Sequence, residues 1–234
     1  MNRRTRDRPG DSESSTDDPV FTVDLHAHTR FFHGFQAKPT PYDPVGAQLL
    51  GLWGRRAGLD GIALTNHDYY RAFDGTTGEP QLIPGIEVTT TAGHLLVVGP
   101  DPPRRTVPGE RTPEEVVSQA HRNGCAAIVA HPYRRSRVRE SDAEFDAVEI
   151  NGKHPDNAER VRALAESLDV PVVGGSDAHY PFEVGRTATR IEAPELTPDA
   201  VVAAIREGAV EVEIRNSRVD ELMRTAYSYT HRYL

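Results

Sequence analysis

Short apolar runs recur along this chain from Val20 onward and alternate with amphipathic stretches. They cover residues 21–27 (FTVDLHA), 61–66 (GIALTN), 82–88 (LIPGIEV), 94–99 (HLLVVG), 126–131 (AAIVAH), 147–151 (AVEIN), 170–174 (VPVVG) and 187–192 (TATRIE). Each has the length and composition of a strand. Between them, Val45, Leu49, Leu52 and Trp53 recur at helical spacing, as do Ala158, Val161, Ala165 and Leu168, and both stripes read as core faces. Capping boxes open at Thr112-Pro113-Glu114-Glu115 and at Ser141-Asp142-Ala143-Glu144, and Thr197-Pro198 puts proline at a first helical position. The pattern predicts repeated βα units on a parallel sheet. The expected architecture is one barrel-like α/β domain over residues 20–234, ending in a helix over 219–234, behind a disordered polar leader over 1–19.

Composition narrows the chemistry. The 234 residues suit one α/β barrel with a sizeable core. Charged residues make up 26% and hydrophobic ones 37%, a soluble globular balance. No apolar run is long enough to cross a bilayer, and the leader has no apolar segment of a signal peptide, so no membrane partner is expected and the expected compartment is the cytoplasm. Cys125 is the only cysteine, which excludes an internal disulfide and a cysteine-based zinc finger. Any metal has to be held by histidine and carboxylate. A net charge of −8 argues against a broad basic surface for nucleic acid, so a phosphate-bearing substrate has to be attracted locally. Lysine occurs only at Lys38 and Lys153 among many arginines, which reads as a compositional habit without bearing on chemistry.

The histidines and selected acids fall where apolar runs end, the place where parallel α/β barrels keep their active sites. His26 and His28 are two apart, so on a strand their side chains point the same way and can bind one ion together. Asp177 and His179 repeat that spacing after Gly174-Gly175. Glu87 stands in an otherwise apolar strand, His131 ends another before Pro132, His67 and Asp68 close a third, and His94 opens a fourth. So many imidazoles and acids on one rim are costly to desolvate unless cations offset the charge, and this predicts bound metal.

The segments DLHAHT (24–29), LTNHD (64–68), PGIEV (84–88), AHP (130–132) and GGSDAH (174–179) resemble, in order, the motifs of the polymerase and histidinol phosphatase superfamily, PHP. That resemblance implies a distorted seven-stranded βα barrel, similar to a TIM barrel. It implies two or three divalent ions and hydrolysis of phosphate esters. It implies that His26, His28, Glu87 and Asp177 hold a first metal, that Glu87 bridges to a second completed by His131 and His94, and that His67 and His179 hold a third, assisted by His33 or Asp68. Two departures from the family pattern are visible: TRFFHG at 29–34 replaces a serine-aspartate-glycine stretch, and Asn66 stands where aspartate is frequent. Mixed imidazole and carboxylate ligands suit zinc, manganese or iron.

The expected reaction is in-line attack on phosphorus by a hydroxide held between two metals, on a small phosphorylated metabolite or a nucleotide. Arg134 and Arg186 are candidates for the phosphate oxygens, Asp68 or His179 for the acid at the leaving oxygen, and Asn151 for orienting substrate or satisfying backbone. Three other readings compete: trimming of nucleic-acid ends, for which no arginine track is evident in the sequence; a non-catalytic module that scaffolds a partner; and hydrolysis of a carbon–nitrogen bond. The oligomeric state is not legible.

Overall fold

The computed structural model describes residues 18–30, 38–73, 78 and 80–215. The predicted leader, except its last two residues, the predicted helix over 219–234, and His33 lie outside the described residues. In chain order the elements are β1 (Val20–Ala27), α1 (Asp43–Arg56), β2 (Gly61–Leu64), β3 (Gln81–Thr89), β4 (His94–Val98), α2 (Pro113–Arg122), β5 (Ala126–Val129), β6 (Ala147–Asn151), α3 (Ala158–Leu168), β7 (Val172–Gly175), β8 (Thr187–Glu192), α4 (Pro198–Glu207) and β9 (Val210–Ile214). Every predicted apolar run is a strand. The short strand β9, with its alternating VEVEI pattern, was not predicted.

The strands form one nine-stranded sheet in the order β7-β6-β5-β4-β3-β2-β1-β8-β9, curled so far that it is nearly a closed barrel. Thr189 of β8 ties the curl across to β7, accepting from the Gly174 N–H at 2.8 Å and donating to its carbonyl at 2.9 Å. This corrects the expectation of a parallel, seven-stranded, TIM-like barrel. The pairs β1–β8, β3–β4, β4–β5 and β8–β9 are antiparallel. For β3–β4 the reason is chain length: four residues join them, with Thr90 N–H donating to Gly93 O at 2.8 Å, whereas a parallel return needs about a dozen or more.

The inner face is apolar through most of its depth. Val23, Leu25, Ala63, Ile83, Leu96, Ile128 and Val173 meet there, and Val201 and Ile205 of α4 pack against them. α4 reaches the rim where β4 ends, since Gly99 backs onto Val202, so the opposite rim is the one left for polar residues. Outside, α2 and α3 cover Val97, Ala127, Val148 and Ile150, with Val161 and Ala165 of α3 buried as their spacing predicts.

Two helix predictions are corrected. α1 buries Asp43, Gly46, Ala47, Leu50 and Gly54; of the predicted stripe, Leu49 packs partly buried against the core, while Val45 and Leu52 are exposed and Trp53 is 36% exposed. The inward face is the small-residue face because the helix lies on the end of β1: a Cβ at Gly46 would fall 1.7 Å from the Thr29 carbonyl oxygen. Ser141 to Glu144 starts no helix. Ser141 instead bonds back to the Val138 carbonyl through Oγ at 2.8 Å and ends a short 3-10 turn. The box at Thr112 does cap α2, and Thr197 caps α4 with Pro198 in its first turn, its side chain accepting from Ala200 N–H. Among the described residues no helix is long and apolar enough to cross a membrane.

Strands crowd closely at Gly175, since a Cβ there would stand 2.5 Å from His26 Cβ and 2.6 Å from Glu149 Oε1. Gly175→Ala should cost about 1–3 kcal/mol by overpacking, read as a fall of several degrees in Tm. An unchanged Tm would mean that the strands do not approach this closely.

Candidate metal centre

On β1 the side-chain alternation breaks. Val23 and Leu25 belong to the inner core, yet Ala27 packs with Leu50 and Leu64 beneath α1, and the register against β2 shifts between Asp24 and Ala27. Such a bulge re-aims side chains. Here it turns His26 and His28 inward at the rim. Asp24 holds it: Oδ1 accepts from His26 N–H at 3.1 Å and Ser176 N–H at 2.9 Å, and Oδ2 from Gly185 N–H at 2.9 Å. Burial pushes the Asp24 carboxyl above its ordinary value, against the lowering by these donors.

The other side chains arrive on different strands. Glu87 points inward opposite Leu96, Glu149 opposite Val173, and His67, His131, Asp177 and His179 follow the ends of β2, β5 and β7. His94 begins its strand rather than ending it. It reaches the same rim because β4 runs antiparallel to both neighbours. The turns after β2, β5 and β7 carry Asp68, His131 and Asp177 at φ of 57°, 29° and 53°. Left-handed conformations in non-glycine residues cost on the order of 1–3 kcal/mol each and collect at functional sites.

Six imidazoles line this rim, with ring centroids 5.1 Å apart for His26–His28, 4.7 Å for His28–His67, 4.2 Å for His28–His179, 5.4 Å for His67–His94 and 5.2 Å for His94–His131. Their common neighbour is Glu87, fully buried. Its Oε1 lies 2.7 Å from His94 Nδ1 and 2.9 Å from His131 Nε2, and its Oε2 2.9 Å from His67 Nδ1.

The remaining contacts have a different spacing. His26 Nε2 and His28 Nε2 stand 3.4 and 3.5 Å from Glu87 Oε2, and 3.7 and 3.3 Å from Asp177 Oδ1. These exceed ordinary hydrogen bonds. Donor atoms bound about 2.1 Å from one tetrahedral ion lie about 3.4 Å apart. Both ring nitrogens are buried and make no hydrogen bond, so the set fits an ion. Three further groups have ligand atoms close enough to share one: His26, His131 and Asp177; His67, Glu87 and His94; His28, His67 and His179.

The electrostatics ask for positive charge. Burial by itself would lower His26, but Glu149, Glu87 and Asp177 together raise it well above its ordinary value. Burial, then repulsion from His179, pushes His28 well below. Against burial, the histidines hold Glu87 well down, and Lys153 and His26 do the same for Asp177. Without a cation, a proton on His26 is the charge that the carboxylates draw in.

Three residues of this site went unnoticed in the sequence. Glu149 accepts from His26 Nδ1 at 2.7 Å and from His131 N–H at 2.8 Å, fixing which His26 nitrogen faces the centre. Its signal was the same as that of Glu87, an acid inside an apolar strand. Asp24 was read only as part of a motif. Lys153, set aside as compositional, places Nζ 2.7 Å from His179 Nδ1 and 3.2 Å from Asp177 Oδ1.

Other predicted site residues are placed differently. The Asp68 carboxylate is engaged by Thr89 N–H and Oγ1 at 3.0 and 2.7 Å and by Thr106 Oγ1 at 2.7 Å, contacts that brace the turn after β2. Arg186 pairs with Glu183, whose other oxygen accepts from His179 and Tyr180 N–H, which makes it part of the loop holding His179. Asn151 donates to Glu149 at 3.2 Å and accepts from Lys153 N–H at 3.0 Å, joining the two. Arg134 reaches Asp177 Oδ2 at 3.3 Å. Arg135 and Arg137 beside it are exposed, so the loop after β5 carries arginines to the rim although no track was evident in the sequence.

Residues 155–210 match the model of the PHP-associated family. No curated protein sequence matches the chain. Among solved structures, PsfC from Pseudomonas syringae is similar with a TM-score of 0.67 at 19% identity, over 92% of this chain and 99% of that one. A two-domain protein of Bacteroides vulgatus containing a predicted PHP-like metal-dependent phosphoesterase gives 0.60 at 19%, over 96% and 73%. The lesion-specific endonuclease EndoQ of Pyrococcus furiosus gives 0.56 at 18%, over 83% and 58%. At these identities the likeness is one of fold.

Glu149→Gln should keep the fold and lower metal affinity by about 10- to 100-fold, the usual effect of removing a partner that orients a ligand. Metal titration followed by elemental analysis measures it. Affinity equal to that of the parent would remove Glu149 from the centre.

Proposed function

We propose, taking the chain as a PHP-superfamily protein on the joint support of that family match and the shared fold, that it is a metal-dependent hydrolase of phosphate esters acting on a small phosphorylated metabolite or a nucleotide. The observation that carries the reading is the fully buried Glu87 carboxylate, approached by His26, His28, His67, His94 and His131 within 3.5 Å. A structural glutamate has no use for so many imidazoles. A carboxylate shared between cations does.

In this reading His26, His28, Glu87 and Asp177 hold one ion, and Glu87 with His131 and His94 a second. His67 and His179 hold a third where one binds. Bound divalent ions of the zinc, manganese or iron type supply Lewis acidity and an activated water. The chain's own residues do the rest. Glu149 keeps His26 Nδ1 occupied so that Nε2 faces the centre. Arg134, at the mouth, supplies a planar donor for phosphoryl oxygens. Where no third ion binds, His179 is the candidate acid at the leaving oxygen, Asp68 being engaged by Thr89 and Thr106.

A second reading, action on nucleic-acid ends, is favoured by the exposed Arg134, Arg135 and Arg137 in one rim loop. Net charge of −8 weighs against an extended basic track. The test is a screen of manganese-loaded protein against phosphomonoesters, nucleotides, phosphodiesters and short oligonucleotides, with Asp177→Ala alongside. Loss of a metal ligand should lower turnover by at least about 100-fold while the circular dichroism stays that of the parent. Equal turnover in the variant would refute the assigned site.

A further inference from the structure

We infer that Lys153 and Arg134 form a two-cation clamp for the phosphoryl group, and that the site thereby favours a phosphate monoester over a diester. The inference rests on the phosphoesterase reading above and sharpens its substrate class.

Asp177 is buried at the rim, and each of its oxygens is faced by a different cation. Lys153 Nζ is 3.2 Å from Oδ1 and Arg134 Nη1 is 3.3 Å from Oδ2. The Asp177 side chain is 2% exposed, that of Lys153 22% and that of Arg134 40%, so the cations stand between the acid and solvent. An anion approaching this side of the centre meets them first.

The lysine is held in place. Its N–H donates to Asn151 Oδ1 at 3.0 Å, Asn151 Nδ2 donates to Glu149 Oε2 at 3.2 Å, and the neighbouring Gly152 N–H donates to the Gly175 carbonyl at 2.8 Å. The backbone that carries the ammonium is therefore tied to β6 and β7, which lead to Glu149 and Asp177. In a chain with lysine at only two positions, one of them stands against Asp177 and His179. A compact ammonium with three rotatable donors suits two such close partners.

The charge on this mouth matches a dianion. A phosphate monoester carries nearly two negative charges near neutral pH and has three non-ester oxygens; a diester carries one charge and has two. Two adjacent cations give two charge-assisted hydrogen bonds to the former. Beside Arg134, the crevice lined by His131, Tyr133, Asn151 and His154 holds only about 10 Å³, the room of a single water. Among the described residues this crevice offers no berth for an organic leaving group.

The test compares the parent with Lys153→Met, Lys153→Gln and Lys153→Arg, all loaded with manganese and checked for metal content. kcat/KM is measured for 4-nitrophenyl phosphate and for methyl 4-nitrophenyl phosphate, and the Kd of inorganic phosphate by calorimetry. The clamp predicts that the monoester-to-diester ratio of kcat/KM falls about 10- to 100-fold in the Met and Gln variants, that their phosphate binding weakens about 10-fold, and that Arg restores part of both. An unchanged ratio, unchanged phosphate affinity, or loss of metal from the variants would overturn it. If the parent hydrolyses neither ester nor any substrate of the screen above, the phosphoesterase reading fails. Phosphate affinity then decides the clamp alone, weakened binding in the Met variant upholding it and equal binding sinking it.

Discussion

A carboxylate buried without exposure among five imidazoles is the constraint on which the rest of this structure depends. Glu87 sits in the wall of a barrel whose inner face is apolar through most of its depth, a medium in which an isolated charge is costly by several kcal/mol. Glu149 and Asp177, also buried, add to the same field. The protein answers partly with histidines and with Lys153, and the spacing of His26 and His28 about Glu87 and Asp177 leaves the balance to a cation.

The scaffold's irregularities follow from that demand. A regular βα barrel would put every polar residue at a strand's end. Here a bulge pinned by Asp24 turns two histidines inward within β1, and the reversed strand β4 delivers His94 from its start. Left-handed turns at His131 and Asp177 aim the last side chains of the cluster. Each departure carries conformational cost, and all of them lie on one rim. The opposite end is plugged by Val201 and Ile205 of α4.

The strands and most of the metal-facing residues were legible because an apolar run that stops at a histidine or encloses a glutamate is a local signal. The direction of the strands was less so. The four-residue link before His94 already forbids a parallel return, but the βα rhythm elsewhere masked it. α1 was misread because a stripe of large apolar residues is ordinarily the buried one, whereas Gly46 and Gly54 let this helix sit closer through its small face. Glu149, Lys153 and Asp68 illustrate the limit: whether an acid or amine points at the centre, braces it or turns to a threonine depends on contacts made 20 or more residues away in sequence. β9 was missed because its alternating glutamates make it look like solvent-facing chain.

The most direct test is anomalous diffraction at the zinc or manganese edge from crystals soaked in that metal. The account predicts a peak about 2.0–2.2 Å from His26 Nε2, His28 Nε2, Glu87 and Asp177 together, with a second on the His131 side of Glu87. A chain folded as described, with those side chains ordered and no anomalous density among them, would contradict it.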